Sequence, residues 1–162
     1  ADDSGKPHPL GAWREHVPAH LDLSIAHTSK LIVAAVVANA RIGIDIEAVG
    51  RDLSEEFTRG VFTHEELELA AKSGESPTML LRFWCAKEAI SKALGTGIRY
   101  SPQDLRIVGA NPVDGEIRIE LLGQWLDAFK QMKGRKHTIH SSLYEGHAFA
   151  SCILPNSLFE GN

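Results

Sequence analysis

Phe83-Trp84-Cys85-Ala86-Lys87-Glu88-Ala89-Ile90-Ser91-Lys92-Ala93-Leu94-Gly95 is the stretch on which the reading of this chain turns. Helical spacing sets Phe83, Ala86, Ile90 and Leu94 on a stripe that can face a core. It leaves Glu88 and Lys92 one turn apart on another face, with Lys87 beside them. Gly95 stops the helix, and upstream Ser76 reads as its cap with Pro77 in the first turn. The spacing therefore predicts one long helix from about Pro77 to Leu94. A charged face of this kind is ordinary unless something across from it needs the charge.

That partner lies about forty residues earlier. In Arg41-Ile42-Gly43-Ile44-Asp45-Ile46-Glu47 the three isoleucines point to one side of a strand, so Gly43, Asp45 and Glu47 share the other. Carboxylates at i and i+2 project side by side, roughly 6 to 7 Å apart at the backbone. Their repulsion on a partly buried face calls for a cation between them, and a hard divalent ion such as Mg²⁺ takes oxygen ligands of this type. A solvated acidic strand end is the plainer reading, and Asp-x-Glu alone does not choose between them.

Two more strands precede this one. Leu21 to His27 alternates apolar and polar residues, and Leu31 to Ala38 is continuously apolar, which reads as a central strand. Three successive strands with tight connections predict an antiparallel sheet. Downstream, Ser54 opens a short helix, and Thr63 with Glu66 forms a capping box that explains the acidic run Glu65, Glu66 and Glu68 without a metal. Leu105–Val108 and Glu116–Leu121 read as strands, Gly123–Met132 as a short helix, and Lys136–Tyr144 and His147–Leu154 as a hairpin through Glu145-Gly146. The segment Gly5 to Pro18, rich in Gly, Pro and His, reads as an extended lead-in. The whole, residues 1–162, reads as one α+β domain, an antiparallel sheet packed on a long central helix.

Composition narrows the function classes. Of 162 residues, 43% are hydrophobic and 23% charged, which suits one soluble domain with a buried core. A net charge of −4 argues against broad binding to nucleic acid, and no apolar run reaches membrane-spanning length. The two cysteines, Cys85 and Cys152, sit far apart in apolar segments, so a reducing compartment, the cytoplasm, is expected, with packing rather than nucleophilic chemistry for Cys85. His137 and His140 are three apart in a strand and fall on opposite faces, which is no ligand pair.

Gly43-Ile44-Asp45-Ile46-Glu47 followed by Phe83-Trp84-Cys85-Ala86-Lys87-Glu88-Ala89-Ile90-Ser91-Lys92 resembles the two-part signature of the 4′-phosphopantetheinyl transferases. Gly5-Lys6-Pro7 and Ser24-Ile25-Ala26-His27-Thr28 resemble two further elements of the surfactin-synthetase-activating branch. Lys92-Ala93-Leu94-Gly95-Thr96-Gly97 is instead similar to the short holo-acyl-carrier-protein synthases.

The resemblance implies a 4′-phosphopantetheinyl transferase-like fold and a reaction. The phosphopantetheine arm of coenzyme A moves to a serine of an acyl or peptidyl carrier protein in fatty-acid, polyketide or peptide synthesis. It implies Mg²⁺ held by Asp45, Glu47 and Glu88, with Glu88 and Lys92 as catalytic groups and Glu88 the candidate base. It also implies coenzyme A contacts from Lys6, His27, Lys87 and Lys92. Ala26 departs from the branch, which has a serine there, and most of that branch's first half has no counterpart. The resemblance thus implies either self-association, as in the trimeric short synthases, or a place within a larger synthase. Two other readings stay open: a catalytically weak module that binds coenzyme A or a carrier protein, and a Mg²⁺-dependent phosphohydrolase. Carrier proteins are acidic, so Arg51, Arg59, Arg82 and Arg99 are candidates for a docking patch.

Overall fold

Residues 6–7, 18 and 20–159 are described by the computed structural model; Gly5 and most of the lead-in to Pro18 lie outside the described residues. Strands β1 (Leu21–His27) and β2 (Ile32–Ala38) form an antiparallel hairpin. A separate five-stranded antiparallel sheet contains β3 (Ala40–Ala48), β4 (Leu105–Ala110), β5 (Glu116–Leu121), β6 (His137–Tyr144) and β7 (His147–Pro155) in the order β3-β7-β6-β5-β4. The helices are α1 (Glu55–Val61), α2 (His64–Ala71), α3 (Ser76–Ala93) and α4 (Gly123–Ala128). The fold class is α+β, as the alternation of periods predicts.

Two features of the strand reading need correcting. β2 is not a central strand, and β3 does not continue the β1–β2 sheet. Only Val33, Ala35 and Val37 of β2 face inward, where they pack on Ile42, Ile44 and Ile46 of β3. β3 pairs with β7, from Ala40 opposite Pro155 to Ala48 opposite His147. Its other side is met by side chains of β1: the Ile42 N–H donates to Asp22 Oδ2 at 2.7 Å and the Ile44 N–H to Ser24 Oγ at 3.0 Å. Because these donors are taken, the hairpin docks on β3 through side chains and not through a ladder.

Helix α3 crosses the sheet against β3, β7 and β6. Phe83, Cys85, Ala86, Ala89, Ile90 and Ala93 are fully buried against Ala148, Ala150 and Cys152. Close approach is possible because Gly43 has no side chain: a Cβ there would stand 1.9 Å from the Ala89 carbonyl oxygen and 2.4 Å from the Ala93 nitrogen, both backbone atoms. Gly43→Ala is therefore expected to lift α3 off β3 and to destabilise the protein by about 3 kcal/mol or more. A urea unfolding midpoint equal to that of the parent chain would contradict this contact.

Local signals set the helix ends. Thr63 and Glu66 complete the capping box of α2, with Glu66 N–H to Thr63 Oγ1 at 3.3 Å and Thr63 N–H to Glu66 Oε2 at 2.9 Å. At α3, Ser76 is the first helical residue and not the cap; Glu75 occupies the cap position without a side-chain bond, and Pro77 fits the first turn. Past Leu94, Gly95 adopts φ 83°, which ends the helix and turns the chain beside Lys92. The predicted helix over 123–132 breaks at Phe129, so α4 is followed by a short 3₁₀ turn at Lys130–Met132. There Trp125 is buried and its Nε1 donates to the Ser101 carbonyl at 2.9 Å.

Candidate active site

The site lies where β3 and α3 meet. Gly43 sets the helix against the strand, and the two-residue period of β3 then aims Asp45 and Glu47 at the helix face that carries Trp84, Glu88 and Lys92. Asp45 is 7% exposed. Its Oδ1 accepts from Lys92 Nζ at 2.7 Å, and the same ammonium donates to the Ile44 carbonyl at 3.2 Å. Asp45 Oδ2 is buried and has no hydrogen-bond partner. Glu47 Oε1 accepts from Trp84 Nε1 at 3.2 Å and from Arg51 Nη1.

The three carboxylates feel one another. Burial first, then the neighbouring charge of Asp45, pushes the Glu88 carboxyl up to about 7, with Lys92 opposing and Glu47 adding to the rise. Burial likewise raises Asp45, against the pull of Lys92 and with a further push from Glu47. Such mutual repulsion is what a bound cation relieves.

Among the described residues no three His, Cys, Asp or Glu side chains form a ready-made metal cluster. The reason is visible in the partners: Asp45 is held by Lys92, and Glu47 by Arg51 and Trp84. The donor set nonetheless fits a hard cation. It is all oxygen, it includes a buried carboxylate oxygen of Asp45 with no hydrogen-bond partner, and burial and like charge raise its Glu88 carboxyl to about 7 despite Lys92.

A cavity of about 150 Å³ opens beside Lys92, lined also by Lys6, Ser24, Ile25, Gly95 and Gly97. Lys6 and Lys92, far apart in sequence, thus share one wall. Lys6 is oriented by Asp22, whose Oδ2 takes its Nζ at 2.7 Å while also holding the β3 backbone. His27 lies exposed at the end of β1, opposite Ile32, and is not among these lining residues. Ala26 is buried against the isoleucines of β3.

Lys87 is a correction. Its side chain is fully buried on the far side of α3, with Nζ bonded to Glu66 Oε2 at 2.8 Å, the Val61 carbonyl at 2.9 Å and the Pro102 carbonyl at 2.9 Å. All three of its protons are committed, so none is left for coenzyme A. Arg82 is likewise withdrawn from any docking patch, since it is buried with Nε on Ser141 Oγ at 3.0 Å and Nη2 on the Ser141 carbonyl at 3.1 Å. Arg51 is engaged with Glu47, whereas Arg59 and Arg99 are exposed. Cys85 and Cys152 are free and buried; burial raises both thiols, Cys152 to about 12, so neither supplies a thiolate near neutral pH.

Sequence reasoning missed Asp22, Trp84 and Arg51 as site-shaping residues. Asp22 sat in an alternating strand as an expected outward polar residue. What it faces is β3, a contact of sequence separation 20 that no local pattern reveals.

Comparisons with known proteins agree on one family. The profile described as the 4′-phosphopantetheinyl transferase superfamily matches residues 41–152. A holo-[acyl-carrier-protein] synthase of Treponema denticola is 36% identical over 124 residues, covering 70% of this chain and 94% of that protein. One from Dinoroseobacter shibae is 32% identical over 121 residues, covering 70% and 87%. Among solved structures, the holo-[acyl-carrier-protein] synthase of Neisseria meningitidis superposes with a TM-score of 0.57 at 27% identity, over 70% of this chain and 96% of that one. The Helicobacter pylori synthase, solved in complex with coenzyme A, shares the fold at TM-score 0.51 and 24% identity, over 70% and 97%. The profile match begins at residue 41, so hairpin β1–β2, Lys6 and His27 fall outside it.

Proposed function

The chain belongs to the 4′-phosphopantetheinyl transferase superfamily, and on that premise we propose that Asp45, Glu47, Glu88 and Lys92 transfer phosphopantetheine from coenzyme A to a carrier-protein serine. The observation that carries the assignment of residues is the coupling of three carboxylates across β3 and α3, with Lys92 between them and a cavity alongside. Asp45, Glu47 and Glu88 would hold Mg²⁺. When bound, that ion supplies charge neutralisation at the coenzyme A pyrophosphate.

The chain's own groups do the rest. Lys92 presents its ammonium to the phosphate under attack and leaves Asp45 to do so. Lys6, on the same cavity wall, takes the nucleotide end, and His27 is assigned a phosphate contact by resemblance alone. In the transfer, the serine oxygen forms a new P–O bond as the bond to adenosine 3′,5′-bisphosphate breaks, and the serine proton goes to Glu88. Transfer of this kind is mainly positioning and charge neutralisation, which these residues provide.

We read residues 1–162 as one transferase domain working in the reducing cytoplasm, in keeping with two free, buried cysteines. No helix among the described residues is long and apolar enough to cross a membrane. The cavity beside Lys92 adjoins a wider one of about 430 Å³ that shares Lys6 and Gly95 and is lined also by Asp22, Arg41 and Leu94. On the resemblance to the short synthases, one copy is read as holding part of the coenzyme A site, which self-association or further sequence completes.

The deciding experiment mixes the protein with coenzyme A, Mg²⁺ and an apo carrier protein and weighs the carrier. An added phosphopantetheine mass is expected. Consumption of coenzyme A with an unmodified carrier would mean hydrolysis instead, and no change in either would mean a binding module.

A further inference from the structure

Strands β6 and β7 part before either of them ends. Their shared register runs only from Tyr144 opposite His147 to His140 opposite Ser151. Beyond it, β6 continues back to His137 along β5, while β7 runs on to Pro155 along β3. The sheet forks there, and a cleft of about 580 Å³ lies between the arms. Its size falls within the roughly 300–1,000 Å³ of ordinary ligand sites. His137 and His140 point to opposite faces of β6, and both line the cleft because the sheet is open on the side towards β7.

We propose that this fork is a binding site for a phosphomonoester that carries a small apolar body, separate from the carboxylates of β3 and α3. The inference goes beyond the transferase reading and does not depend on it. Charge is the first support. Among the described residues, Arg135, Lys136, His137 and His140 line the cleft and no Asp or Glu does. Arg135 and Lys136 are exposed, and neither side chain pairs with a carboxylate among the described residues. Glu116, opposite His140 on β5, is in register with the lining and stays outside it.

His137 is the second support. It is 8% exposed, and its Nε2 is buried without a hydrogen-bond partner among the described residues. A buried polar atom left so is costly until something bonds it. Burial, followed by the Arg135 charge, holds the ring below its ordinary value, so it is neutral at pH 7 and can offer an Nε2–H to an oxyanion. The third support is apolar. Ile153, 56% exposed, shares the lining with Pro155 and Leu158, and an anion alone would leave it bare. A single buried ring nitrogen near two cations suits one compact dianion, not the row of carboxylates on an acidic protein helix.

The turn Asn156–Leu158 stands between this cleft and the wider cavity beside Lys6, since Leu158 lines the first and Asn156 the second. A measurement at His137 itself therefore separates the two. The intact chain is titrated at pH 7 and constant ionic strength with inorganic phosphate and with phenyl phosphate, each to about 50 mM with chloride as control, while nuclear magnetic resonance follows the His137 ring. Both phosphates should shift its signals saturably and raise the pKa of the ring, phenyl phosphate at about threefold lower concentration or better. Arg135→Gln and Lys136→Gln, both surface changes, should each weaken binding about threefold or more and leave carrier modification at the parent rate. Ring signals that ignore phosphate, that respond equally to chloride, or that respond unchanged in both variants overturn the proposal. Equal affinity for the two phosphates, a response to an apo carrier protein alone, or slower carrier modification in both variants would do the same. A carrier left unmodified while the phosphate response persists would refute transfer and leave the fork site standing.

Discussion

Glu88→Gln is expected to slow phosphopantetheine transfer by about 10³-fold or more and, in metal-free buffer, to make the protein more stable at pH 7.5. The two effects share a cause. Glu88 is desolvated and faces Asp45 and Glu47, which is useful for holding a cation and accepting a proton but unfavourable for a bare carboxylate. Its carboxyl sits at about 7 in the folded protein against an ordinary 4.5.

The folded state therefore binds the proton more tightly than the unfolded state does. The stabilisation this gives is full below pH 4.5 and is lost as pH rises through about 7. The shift corresponds to on the order of 3 kcal/mol. Asp45, also raised, pushes in the same direction. Urea midpoints measured in chelator should fall between pH 5 and pH 7.5 for the parent chain and fall less for Glu88→Gln. Adding Mg²⁺ should recover the loss at pH 7.5 in the parent only. A Glu88→Gln protein with ordinary activity, or with an unchanged pH slope, would remove Glu88 from the roles given to it.

Lys87→Met is expected to cost about 3 to 5 kcal/mol, a fall of about 10 °C or more in melting temperature. The substitution keeps the length of the side chain but strands Glu66, which is fully buried, and the carbonyls of Val61 and Pro102. Burial lowers the Lys87 ammonium and Glu66 holds it up, so the pair survives only as a pair. Glu66→Gln combined with Lys87→Met should recover a large part of the loss, because a neutral amide keeps an acceptor while removing the unpaired charge. Below its melting range, Lys87→Met should show a KM for coenzyme A close to that of the parent, as suits a residue facing away from the site. A large rise in KM with unchanged stability would restore Lys87 as a ligand contact.

Much of this was legible in the residues, for reasons that also show where legibility ends. Strand bounds followed from the two-residue period, so Leu21–His27 and Glu116–Leu121 were read as they stand. The same period placed Asp45 and Glu47 together on the face opposite the isoleucines. Helical spacing put Glu88 and Lys92 on one face, and only their convergence with Asp45 required coordinates.

Lys87 was readable in part: positions 83, 87, 90 and 94 form one apolar stripe, and a lysine on it belongs in the core if a partner exists. Glu66, the partner, is 21 residues away, and its capping box already seemed to explain it. The place of β2 was hidden for a different reason. Alanine and valine fill both of its faces, so hydrophobicity does not distinguish a strand buried on two sides from one buried on one.

The five-stranded sheet ends in β3 on one side and β4 on the other, and both rims are blunted. At β3 the outward donors of Ile42 and Ile44 are occupied by Asp22 and Ser24. At β4 the register shifts between Ile107 and Gly109, and the Ile107 N–H is taken by Glu66 Oε1 at 2.7 Å. A stray extended peptide arriving at either rim meets donors already spent and, at β4, a kinked template. Protection from fibril growth is thus supplied by three polar side chains that also have other work: orienting Lys6, seating the hairpin and holding Lys87. Until β1 has docked, however, the β3 rim is bare, so the interval before docking is when a newly made chain is most open to wrong pairing.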